Sequence, residues 1–447
     1  MKTESRRTFL RRAAVVLATP WIVPSHTITQ NALAQGVPLP NDVLRMGLIG
    51  TGRQCLAHNI PGFVRNRRNQ VVALCDVDSW RLEEAKKKVL ELYAQSVSLK
   101  KPQSVDTYVE YKELLDRSDI DAVLISTPDH WHTIQAVDAM RAGKHVSLEK
   151  PIIRTIAEGQ ELVKVSAETK RIFRVDSEFR SGKGAHRAAE LIRNGRLGKV
   201  RSVLVCVPES DIPCPPQPDM PVPKELDYDR WLGPAGKAPY TVNRVHPPQN
   251  WGRPGWMRCL DYCDGMVTNW GTHLINGALW ALGFDRTWPV EIEGTGTYPE
   301  PESFWNVLLK FEIKYRYADG VELVYKTGTP YYRVEGENGW IEVAFDWQQG
   351  FTDGLKTSTE ALRNEQIGDD EIRFPFRTEK EDFIDAIFTG GETLEPAIVG
   401  HCVTSTCLLG HIAVRTGEKL RWDPEKEQFL GNPEGAKYLD KPITTSR

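Results

Sequence analysis

One stretch, Asp121 to Pro151, constrains the fold of this 447-residue chain more than any other. It reads DAVLISTPDHWHTIQAVDAMRAGKHVSLEKP. Ala122 to Ile125 is an apolar run that stops at a proline-containing turn, which is typical of a strand buried on both faces. Thr133 to Arg141 is amphipathic and is followed by Gly143, so it predicts a helix and its end. His145 to Leu148 is a second apolar strand. Strand, helix and strand with short connections predict a parallel crossover.

Ligands of such sheets bind at the carboxyl ends of the strands, and both strand ends in this stretch are rich in polar side chains. These residues are Ser126, Thr127, Pro128, Asp129, His130, Trp131 and His132 after the first strand, and Glu149 and Lys150 after the second. A cation and two imidazoles on neighbouring loops suit chemistry on a polar ligand. The sequence therefore predicts a binding site at this edge of the sheet.

A dinucleotide-type loop follows the first strand of the domain, Leu44 to Ile49. The loop consists of Gly50, Thr51, Gly52, Arg53, Gln54 and Cys55, which is the pattern G-x-G-x-x-G with cysteine at the third glycine. Gly50 permits a tight turn, and Gly52 lets backbone N–H groups approach a pyrophosphate at a helix N-terminus.

The next strand strengthens this interpretation. Val71 to Cys75 is apolar, and Asp76 at its end is placed to bind the ribose hydroxyls of an adenosine. The charge of Asp76 would repel a 2′-phosphate, which favours NAD over NADP. Arg81 is the opposing signal, because an arginine could accept that phosphate. With Tyr108 to Leu115 as a further helix, residues 42–155 are predicted to form a Rossmann domain with a doubly wound parallel sheet.

The second half of the chain predicts a different architecture. Val200 to Val207 is strand-like, and Val290 to Phe345 contains several strand-like runs separated by glycine turns, which indicates a large, mostly antiparallel open sheet. Pro208 to Pro254 has little periodicity but several aromatic residues, so we expect an ordered loop that walls a pocket. Residues 156–430 are interpreted as an α+β domain, and residues 431–447 as a C-terminal tail.

Polar residues recur in one apolar segment of this second domain, Asp264 to Trp280. Asn269, His273 and Asn276 are spaced four and three residues apart, so a helix would place them on one face. Such a stripe either binds a ligand or consists of a buried histidine and two amides that find partners within the protein. The segment alone leaves both interpretations open.

The first 34 residues predict an export signal. Ser5-Arg6-Arg7-Thr8-Phe9-Leu10 is a twin-arginine motif, Ala13 to Val23 is a short apolar stretch, and Ala32-Leu33-Ala34 is a cleavage motif. The apolar stretch is too short and too broken by prolines to span a bilayer. We therefore expect export by the twin-arginine route to the periplasm or another extracytoplasmic compartment.

Composition limits the partners. A net charge of −3 gives no reason to expect nucleic acid or an anionic membrane as a partner. The eight cysteines lack the short C-x-x-C pairs of common zinc sites, so no metal site is predicted. Cys55 and Cys75 fall in predicted core, where buried thiols are expected.

Taken together, these motifs resemble the Gfo/Idh/MocA family, the relatives of glucose–fructose oxidoreductase and inositol dehydrogenase. The resemblance runs from Arg45 to about Leu430 and rests on the glycine loop, the S-T-P-D-H-W-H segment, the E-K-P motif and Gly265 to Asn276. It implies that Lys150 and His273 are catalytic, His273 as the acid/base. The family has aspartates where this chain has Asn269 and Asn276. We predict that Asn269 orients the substrate or His273 without transferring protons.

The resemblance also sets expectations for ligands. The predicted cofactor-binding residues are Gly50, Thr51, Gly52, Arg53, Gln54, Asp76, Ser126, Thr127, Pro128, His132, Glu149 and Lys150, and the predicted substrate residues are His130, Trp131 and Asn276. The leading interpretation is an NAD(P)-dependent oxidoreductase acting on a sugar or cyclitol, with a tightly bound, recycled cofactor and a homo-oligomeric state. One alternative is a glycoside hydrolase, lyase or epimerase that uses bound NAD. Another is a non-catalytic periplasmic sugar-binding protein.

Overall fold

The computed structural model describes residues 43–95, 99, 101–211, 213–345 and 354–444. The predicted export signal, residues 1–34, lies outside the described residues, as do positions 445–447 of the predicted tail.

The first domain is built on a sheet of six parallel strands in the order β3-β2-β1-β4-β5-β6. The strands are β1 (Leu44–Ile49), β2 (Asn69–Cys75), β3 (Asp106–Tyr108), β4 (Ala122–Ile125), β5 (His145–Glu149) and β6 (Phe173–Asp176). Every residue of β4 and β5 is buried, which explains why these strands read as continuous apolar runs. The predicted doubly wound sheet is confirmed.

Short helices connect these strands. They are α1 (Ile60–Val64), α2 (Ser79–Ala94), α3 (Tyr111–Leu115), α4 (Asp129–Arg141) and α5 (Ile156–Thr169). The predicted crossover is β4-α4-β5, and α4 ends before Gly143, whose φ is +81°. The glycine loop leads into a single turn of π-helix, Cys55–Asn59, before α1.

Three boundaries differ from the sequence prediction. The helix α4 begins at Asp129 and not at Thr133, because Pro128 has no N–H to leave unpaired at a helix start. Tyr108 ends β3 instead of beginning a helix, since pairing with β2 completes the sheet edge. The sheet also continues past residue 155, because β6 pairs with β5 and extends the first domain to Asp176.

The second domain is built on a nine-stranded sheet in the order β13-β12-β11-β7-β10-β9-β8-β14-β15. The strands are β7 (Val200–Val207), β8 (Glu291–Thr297), β9 (Lys310–Arg316), β10 (Glu322–Thr327), β11 (Tyr331–Gly336), β12 (Gly339–Ala344), β13 (Gly354–Thr357), β14 (Leu420–Asp423) and β15 (Gln428–Phe429). The neighbours β7 and β10 are parallel, and the other paired neighbours are antiparallel. The predicted large, mostly antiparallel sheet is confirmed.

One face of this sheet holds the core of the domain. Phe311, Ile313 and Tyr315 of β9 are buried, whereas the alternate residues of that strand are exposed. The helices of the second domain are α6 (Lys183–Arg193), α7 (Tyr228–Leu232), α8 (Met266–Asn269), α9 (Gly271–Leu282), α10 (Glu360–Asn364), α11 (Glu379–Thr389), α12 (Ala397–Thr416) and α13 (Pro433–Ala436).

Helices α9 and α12 occupy the centre of this core. Gly277 lets α9 approach the sheet closely, because a Cβ there would lie 2.4 Å from the ring of Phe179 and 2.8 Å from that of Tyr332. Among the helices that the structure describes, α12 is the one long and apolar enough to cross a bilayer, but most of it is buried within the protein. Its length and apolar composition are therefore those of a core helix that covers the sheet.

Candidate active site

The carboxyl ends of the first sheet open into a cleft of about 1020 Å³ that the second domain closes from the other side. From the first domain, the lining includes Gly50, Gly52, Arg53, Gln54, Asp76, Ser126, Thr127, Pro128, Asp129, Trp131, His132, Glu149 and Lys150. From the second domain, it includes Glu178, Trp231, Arg253, Asn269, His273, Glu379 and Lys380. Most of the predicted site residues therefore meet in one place. Thr51, His130 and Asn276 are not part of this lining.

The two glycines of the loop differ in what a side chain would meet. Gly50 has φ of +83°, and a Cβ there would lie 2.6 Å from the backbone of Ser126, so this position requires glycine for the turn itself. A Cβ at Gly52 would meet no protein atom within 4 Å and would point into open space. The chain thus keeps space for a bound group at Gly52, as a pyrophosphate would need.

Asp76 organises this end of the cleft. Its carboxylate accepts hydrogen bonds from the backbone N–H of Thr51 at 2.6 Å and from the Thr51 hydroxyl at 2.9 Å. It also accepts a hydrogen bond from the backbone N–H of Asp78 at 2.9 Å. Thr51 therefore connects the glycine loop to Asp76, and its side chain points away from the cleft. Asp76 still lines the cleft, where it can bind ribose hydroxyls.

The D-H-W-H residues form the first turn of α4. The sequence prediction that they lie on a loop is therefore wrong. The ring of His130 is buried, lies 3.0 Å from the carbonyl oxygen of Trp231, and stacks among aromatic rings. Burial lowers the pKa of His130 to about 3. His130 is therefore a neutral packing residue, while Trp131 beside it lines the cleft and donates a hydrogen bond to the same carbonyl at 3.1 Å.

His132 connects the two strand ends that carry the site. Its Nδ1 lies 2.6 Å from the carbonyl oxygen of Pro151, and its Nε2 lies 2.8 Å from that of Thr127. Burial lowers the pKa of this histidine to about 4. Because the ring contacts both loops, His132 fixes the E-K-P segment relative to the end of β4. Glu149 is anchored separately by a hydrogen bond from Asn59 at 2.9 Å.

Lys150, Asn269 and His273 converge from the two domains, as predicted. The ammonium group of Lys150 donates a hydrogen bond to the backbone carbonyl of Asn269 at 3.3 Å. The Nδ1 atom of His273 lies 3.4 Å from the Ser177 hydroxyl and 4.0 Å from the carboxylate of Glu178. Burial and the charge of Lys150 hold the pKa of His273 well below its usual value. At neutral pH this imidazole is therefore neutral and able to accept a proton.

A buried ion pair fixes this convergence. Arg154, four residues after Lys150, lies 3.4 Å from the carboxylate of Asp264, and both side chains are almost fully buried. Arg154 also donates hydrogen bonds to the carbonyl oxygens of Leu260 at 2.6 Å and Asp261 at 2.8 Å. Asp264 precedes the segment that carries Asn269 and His273. The E-K-P motif and the histidine helix are thereby held together.

The predicted stripe of three polar residues is interrupted. The helix breaks at Trp270, so Asn269 ends α8 while His273 and Asn276 belong to α9. Asn276 accepts a hydrogen bond from Arg180 at 2.8 Å and donates one to Glu395 at 2.7 Å. The assignment of Asn276 to the substrate site is therefore not supported by its position. Buried charged groups need hydrogen-bond partners, and Asn276 satisfies two of them.

Sequence patterns missed several charged residues of the cleft wall, among them Glu178, Glu379 and Lys380. Glu178 follows β6 directly, so its place at the carboxyl end of a parallel strand was the available signal. Burial, reinforced by Glu379, raises the pKa of Glu178 to about 7. Lys380 donates hydrogen bonds to both carboxylate oxygens of Asp176, at 2.9 and 2.8 Å. Lys380 lies far from the other site residues in the sequence, and no recognisable motif surrounds it.

In the part of the long aromatic loop after β7 that the structure describes, residues such as Trp231 and Arg253 line the cleft, as expected. Arg81 of the first domain donates hydrogen bonds to the carbonyl oxygens of Pro247 at 3.0 Å and Asn250 at 2.9 Å. The Trp251 ring lies 5.0 Å from that of Trp80 and 4.8 Å from the guanidinium of Arg81. We call residues 245–254 the adenosine-side strap, because they cover the cleft next to Asp76.

The cysteines and possible metal ligands add no further chemistry. All eight cysteines are buried and unpaired, including Cys55 and Cys75, whose burial was predicted. Within the described part of the chain, no group of three or more histidine, cysteine, aspartate or glutamate residues could hold a metal ion.

A Rossmann sheet with this glycine loop, closed by an α/β domain that supplies a buried histidine, is a two-domain architecture of NAD-binding oxidoreductase-family proteins. The chain belongs to the Gfo/Idh/MocA oxidoreductase family. The family model for the NAD-binding Rossmann fold matches residues 44–177, and the model for the C-terminal alpha/beta domain matches residues 216–446.

Solved structures share this fold at low identity. The WlbA dehydrogenase from Bordetella pertussis, in complex with NADH and UDP-GlcNAcA, has a TM-score of 0.60 and 17% identity, covering 85% of this chain and 99% of that chain. The aldose–aldose oxidoreductase from Caulobacter crescentus, in complex with glycerol, has a TM-score of 0.61 and 18% identity, covering 85% and 99%. These likenesses show the fold alone.

Two curated relatives have a different activity in their names. A glycosyl hydrolase family 109 protein of Shewanella pealeana is 30% identical over 167 residues, which are 37% of this chain and 35% of that protein. An alpha-N-acetylgalactosaminidase of Shewanella oneidensis is 28% identical over 212 residues, 44% of each chain. The chain thus spans less than half the length of these relatives.

Substitutions of Gly50 and Gly52 should have different effects, on stability at Gly50 and on cofactor binding at Gly52. Gly52→Val should leave the urea unfolding free energy unchanged and weaken NAD binding at least about 100-fold, because its side chain would enter the space kept for the cofactor. Gly50→Ala should lower the unfolding free energy by about 1–3 kcal/mol, because of its positive φ and the contact with Ser126. Calorimetry measures the affinity for NAD, and urea titration measures the unfolding free energy. Loss of stability in Gly52→Val would show that this glycine serves the turn instead.

Proposed function

We propose that this protein is an NAD-dependent oxidoreductase that acts on a hydroxyl or ketone group of a sugar or cyclitol. The observation that carries the proposal is that Lys150 and His273, from different domains, line the same cleft as the Gly50 and Gly52 loop. The cofactor fits the residues present: Gly52 offers open space for a pyrophosphate, and Asp76 lines the cleft with acceptor oxygens for a ribose. When bound, a nicotinamide supplies reversible hydride transfer.

The residues of the chain supply the proton chemistry. Neutral His273 accepts the proton of the substrate hydroxyl, and such a positioned base contributes about 10²–10⁴-fold to rate. The ammonium of Lys150 stabilises negative charge that develops on the same oxygen. The amide of Asn269 cannot titrate near neutral pH, so we assign it to orientation of the substrate. Its backbone carbonyl holds Lys150 in place.

A sugar suits the rest of the cleft. The indole rings of Trp131, Trp231, Trp256 and Trp270 line it, and aromatic faces pack well against the apolar faces of sugar rings. Structural neighbours were solved with such ligands, among them a levoglucosan dehydrogenase with NADH and L-sorbose. Its TM-score is 0.58 at 17% identity, so it supports the substrate class by analogy of fold.

A second candidate is a glycoside hydrolase that uses bound NAD, with lyase and epimerase as related variants. The names of the two curated relatives favour it. Both candidates begin with the same removal of a hydroxyl proton by His273. They differ in whether the reducing equivalents leave on a second substrate or return to the first.

Adding D-glucose, levoglucosan or p-nitrophenyl α-N-acetylgalactosaminide to the holoprotein should change the near-ultraviolet absorbance of its bound nicotinamide. Lys150→Ala and His273→Gln should each slow this change at least about 100-fold while keeping the cofactor, since neither side chain is needed to hold it. Release of p-nitrophenol without added NAD would select the hydrolase. A holoprotein whose absorbance no sugar changes would leave the non-catalytic sugar-binding alternative.

We also propose NAD rather than NADP as the cofactor. Asp76 places negative charge where a 2′-phosphate would lie. Arg81, the arginine that the sequence offered as a phosphate acceptor, already donates to the carbonyls of Pro247 and Asn250 and lies 3.5 Å from Asp78. A phosphate would have to displace these contacts.

Asp76→Asn tests this preference. The asparagine keeps an acceptor oxygen for Thr51, loses the acceptor for the Asp78 N–H, and removes the charge that opposes a phosphate. We expect the ratio of NAD to NADP affinity, measured by calorimetry, to fall at least about tenfold. Tighter binding of NADP by the unmodified protein would contradict the assignment.

We further propose that the cofactor stays bound and is recycled in place. The twin-arginine motif of the sequence suggests export of the folded protein with NAD inside, to a compartment with little free NAD to replace it. The adenosine-side strap supports slow release, because Arg81, Trp80 and Trp251 clamp it onto the first domain. Slow dissociation is the usual basis of tight binding.

Trp251→Ala should therefore release NAD at least about tenfold faster from the holoprotein, since the strap loses its ring contacts. Trp251→Phe keeps an aromatic ring and should release NAD close to the unmodified rate. Rates are measured by gel filtration at timed intervals, with the sugar-dependent absorbance change as a check on activity. Equal release from all three proteins would show that the strap does not retain the cofactor.

The partner that we propose is a small sugar or polyol, together with further copies of the chain. One face of the nine-stranded sheet exposes four charged residues on β9, and we propose that this open face mediates a dimer or tetramer. The exposed residues of β9 are Lys310, Glu312, Lys314 and Arg316.

A further inference from the structure

Glu178 occupies a position that the proposed proton chemistry has not yet used. It follows the end of β6, lines the cleft, and its side chain is 22% exposed. Its carboxylate lies 4.0 Å from Nδ1 of His273, within ion-pair distance. The Ser177 hydroxyl lies 3.4 Å from the same nitrogen. Hydrogen bonds of catalytic residues are often long before substrate binds, so a shortening of about 1 Å would bring Glu178 into direct hydrogen-bond contact.

Neutral His273 needs a negatively charged neighbour once it accepts a proton. The imidazolium that forms is buried and close to the positive charge of Lys150, which disfavours it. The residue one helical turn earlier, Asn269, carries no charge. Glu178 supplies a carboxylate within ion-pair distance of the His273 ring.

Charged groups from several elements face Glu178. They are Glu149 and Lys150 at the end of β5, His273 on α9, and Glu379 and Lys380 at the start of α11. Lys380 is already bonded to Asp176, so it neutralises that carboxylate before it can neutralise Glu178. Burial, reinforced by the charge of Glu379, raises the pKa of Glu178 to about 7, so its carboxyl is close to its ionisation midpoint near neutral pH.

We infer that Glu178 is the positioning residue of His273: its carboxylate accepts the Nδ1–H hydrogen bond, fixes the tautomer with Nε2 unprotonated, and stabilises the imidazolium. This role rests on the proposed function. In the step, the substrate O–H bond breaks and an Nε2–H bond forms on His273. Glu178 keeps its negative charge throughout and takes no proton. The buried site thereby gains a cation beside an existing anion, instead of a second unpaired cation.

The pH dependence follows from the ionisation of Glu178. Below about pH 7 its carboxyl is increasingly protonated, so it cannot stabilise the imidazolium. The rate of sugar-dependent cofactor reduction should therefore rise through about pH 7 to a plateau. Glu178→Gln should lower the plateau at least about tenfold and abolish this inflection. Glu178→Asp keeps a carboxylate and should retain an inflection and part of the rate.

The tautomer can be measured without knowing the natural substrate. Holoprotein labelled with ¹⁵N-histidine is examined by NMR in four forms: the unmodified protein, Glu178→Gln, Glu178→Asp and Ser177→Ala. The His273 signal is assigned by its loss in the variant His273→Gln. We expect the Nδ1–H tautomer in the unmodified protein, in Glu178→Asp and in Ser177→Ala. In Glu178→Gln the population should shift towards the Nε2–H form. Melting temperature and bound NAD are the controls for folding.

The outcomes separate this inference from the proposed function. An unchanged His273 tautomer in Glu178→Gln overturns the inference, and so does a shift caused by Ser177→Ala instead. If Glu178→Gln destabilises the protein, Glu178→Asp is the deciding variant. The Nδ1–H tautomer and a retained inflection in its pH–rate profile support the role, and loss of both overturns it. If the tautomer shifts as expected but no sugar changes the bound nicotinamide, the pairing of Glu178 with His273 stands and the proposed oxidoreductase activity fails.

Discussion

The buried ion pair between Arg154 and Asp264 is the interaction on which the site depends. It ties the segment after Lys150 to the segment before His273, and these two residues belong to different domains. A buried pair of this kind is not in itself a large source of stability, but removing one partner leaves an unpaired buried charge and costs about 3–5 kcal/mol. Asp264 is further held by His411, 3.0 Å away. The pair therefore specifies one docking of the domains.

That docking sets the chemistry, because it places charges in a poorly solvated cleft. Burial alone would lower the pKa of His273, and the proximity of Lys150 lowers it further, so the histidine is a neutral base at neutral pH. The same burial raises the pKa of Glu178, so neighbouring groups are pushed in opposite directions.

The shared fold and the diverse names of the relatives are consistent with one another. The sheet, the glycine loop and the E-K-P segment build a cofactor cleft that many chemistries can use, and fold alone does not select among them. In this chain the second domain brings His273, Glu178 and the adenosine-side strap to that cleft. Asparagine at positions 269 and 276, where the resembling family has aspartate, leaves carboxylate chemistry beside the histidine to residues from other elements.

The sequence by itself determined the first domain and half of the site. The strands, the crossover and the positions of Gly50 and Asp76 follow from local patterns, because buried parallel strands read as apolar runs and ligand sites of such sheets lie at their carboxyl ends. Other features were decided by tertiary structure. Asn276 lies outside the cleft because it bonds to Arg180 and Glu395, which are 96 and 119 residues away in the sequence. Glu178 lies in the site because it follows β6, which pairs into the first sheet. Its contact with His273 depends on how the second domain docks, and no local sequence pattern predicts that contact.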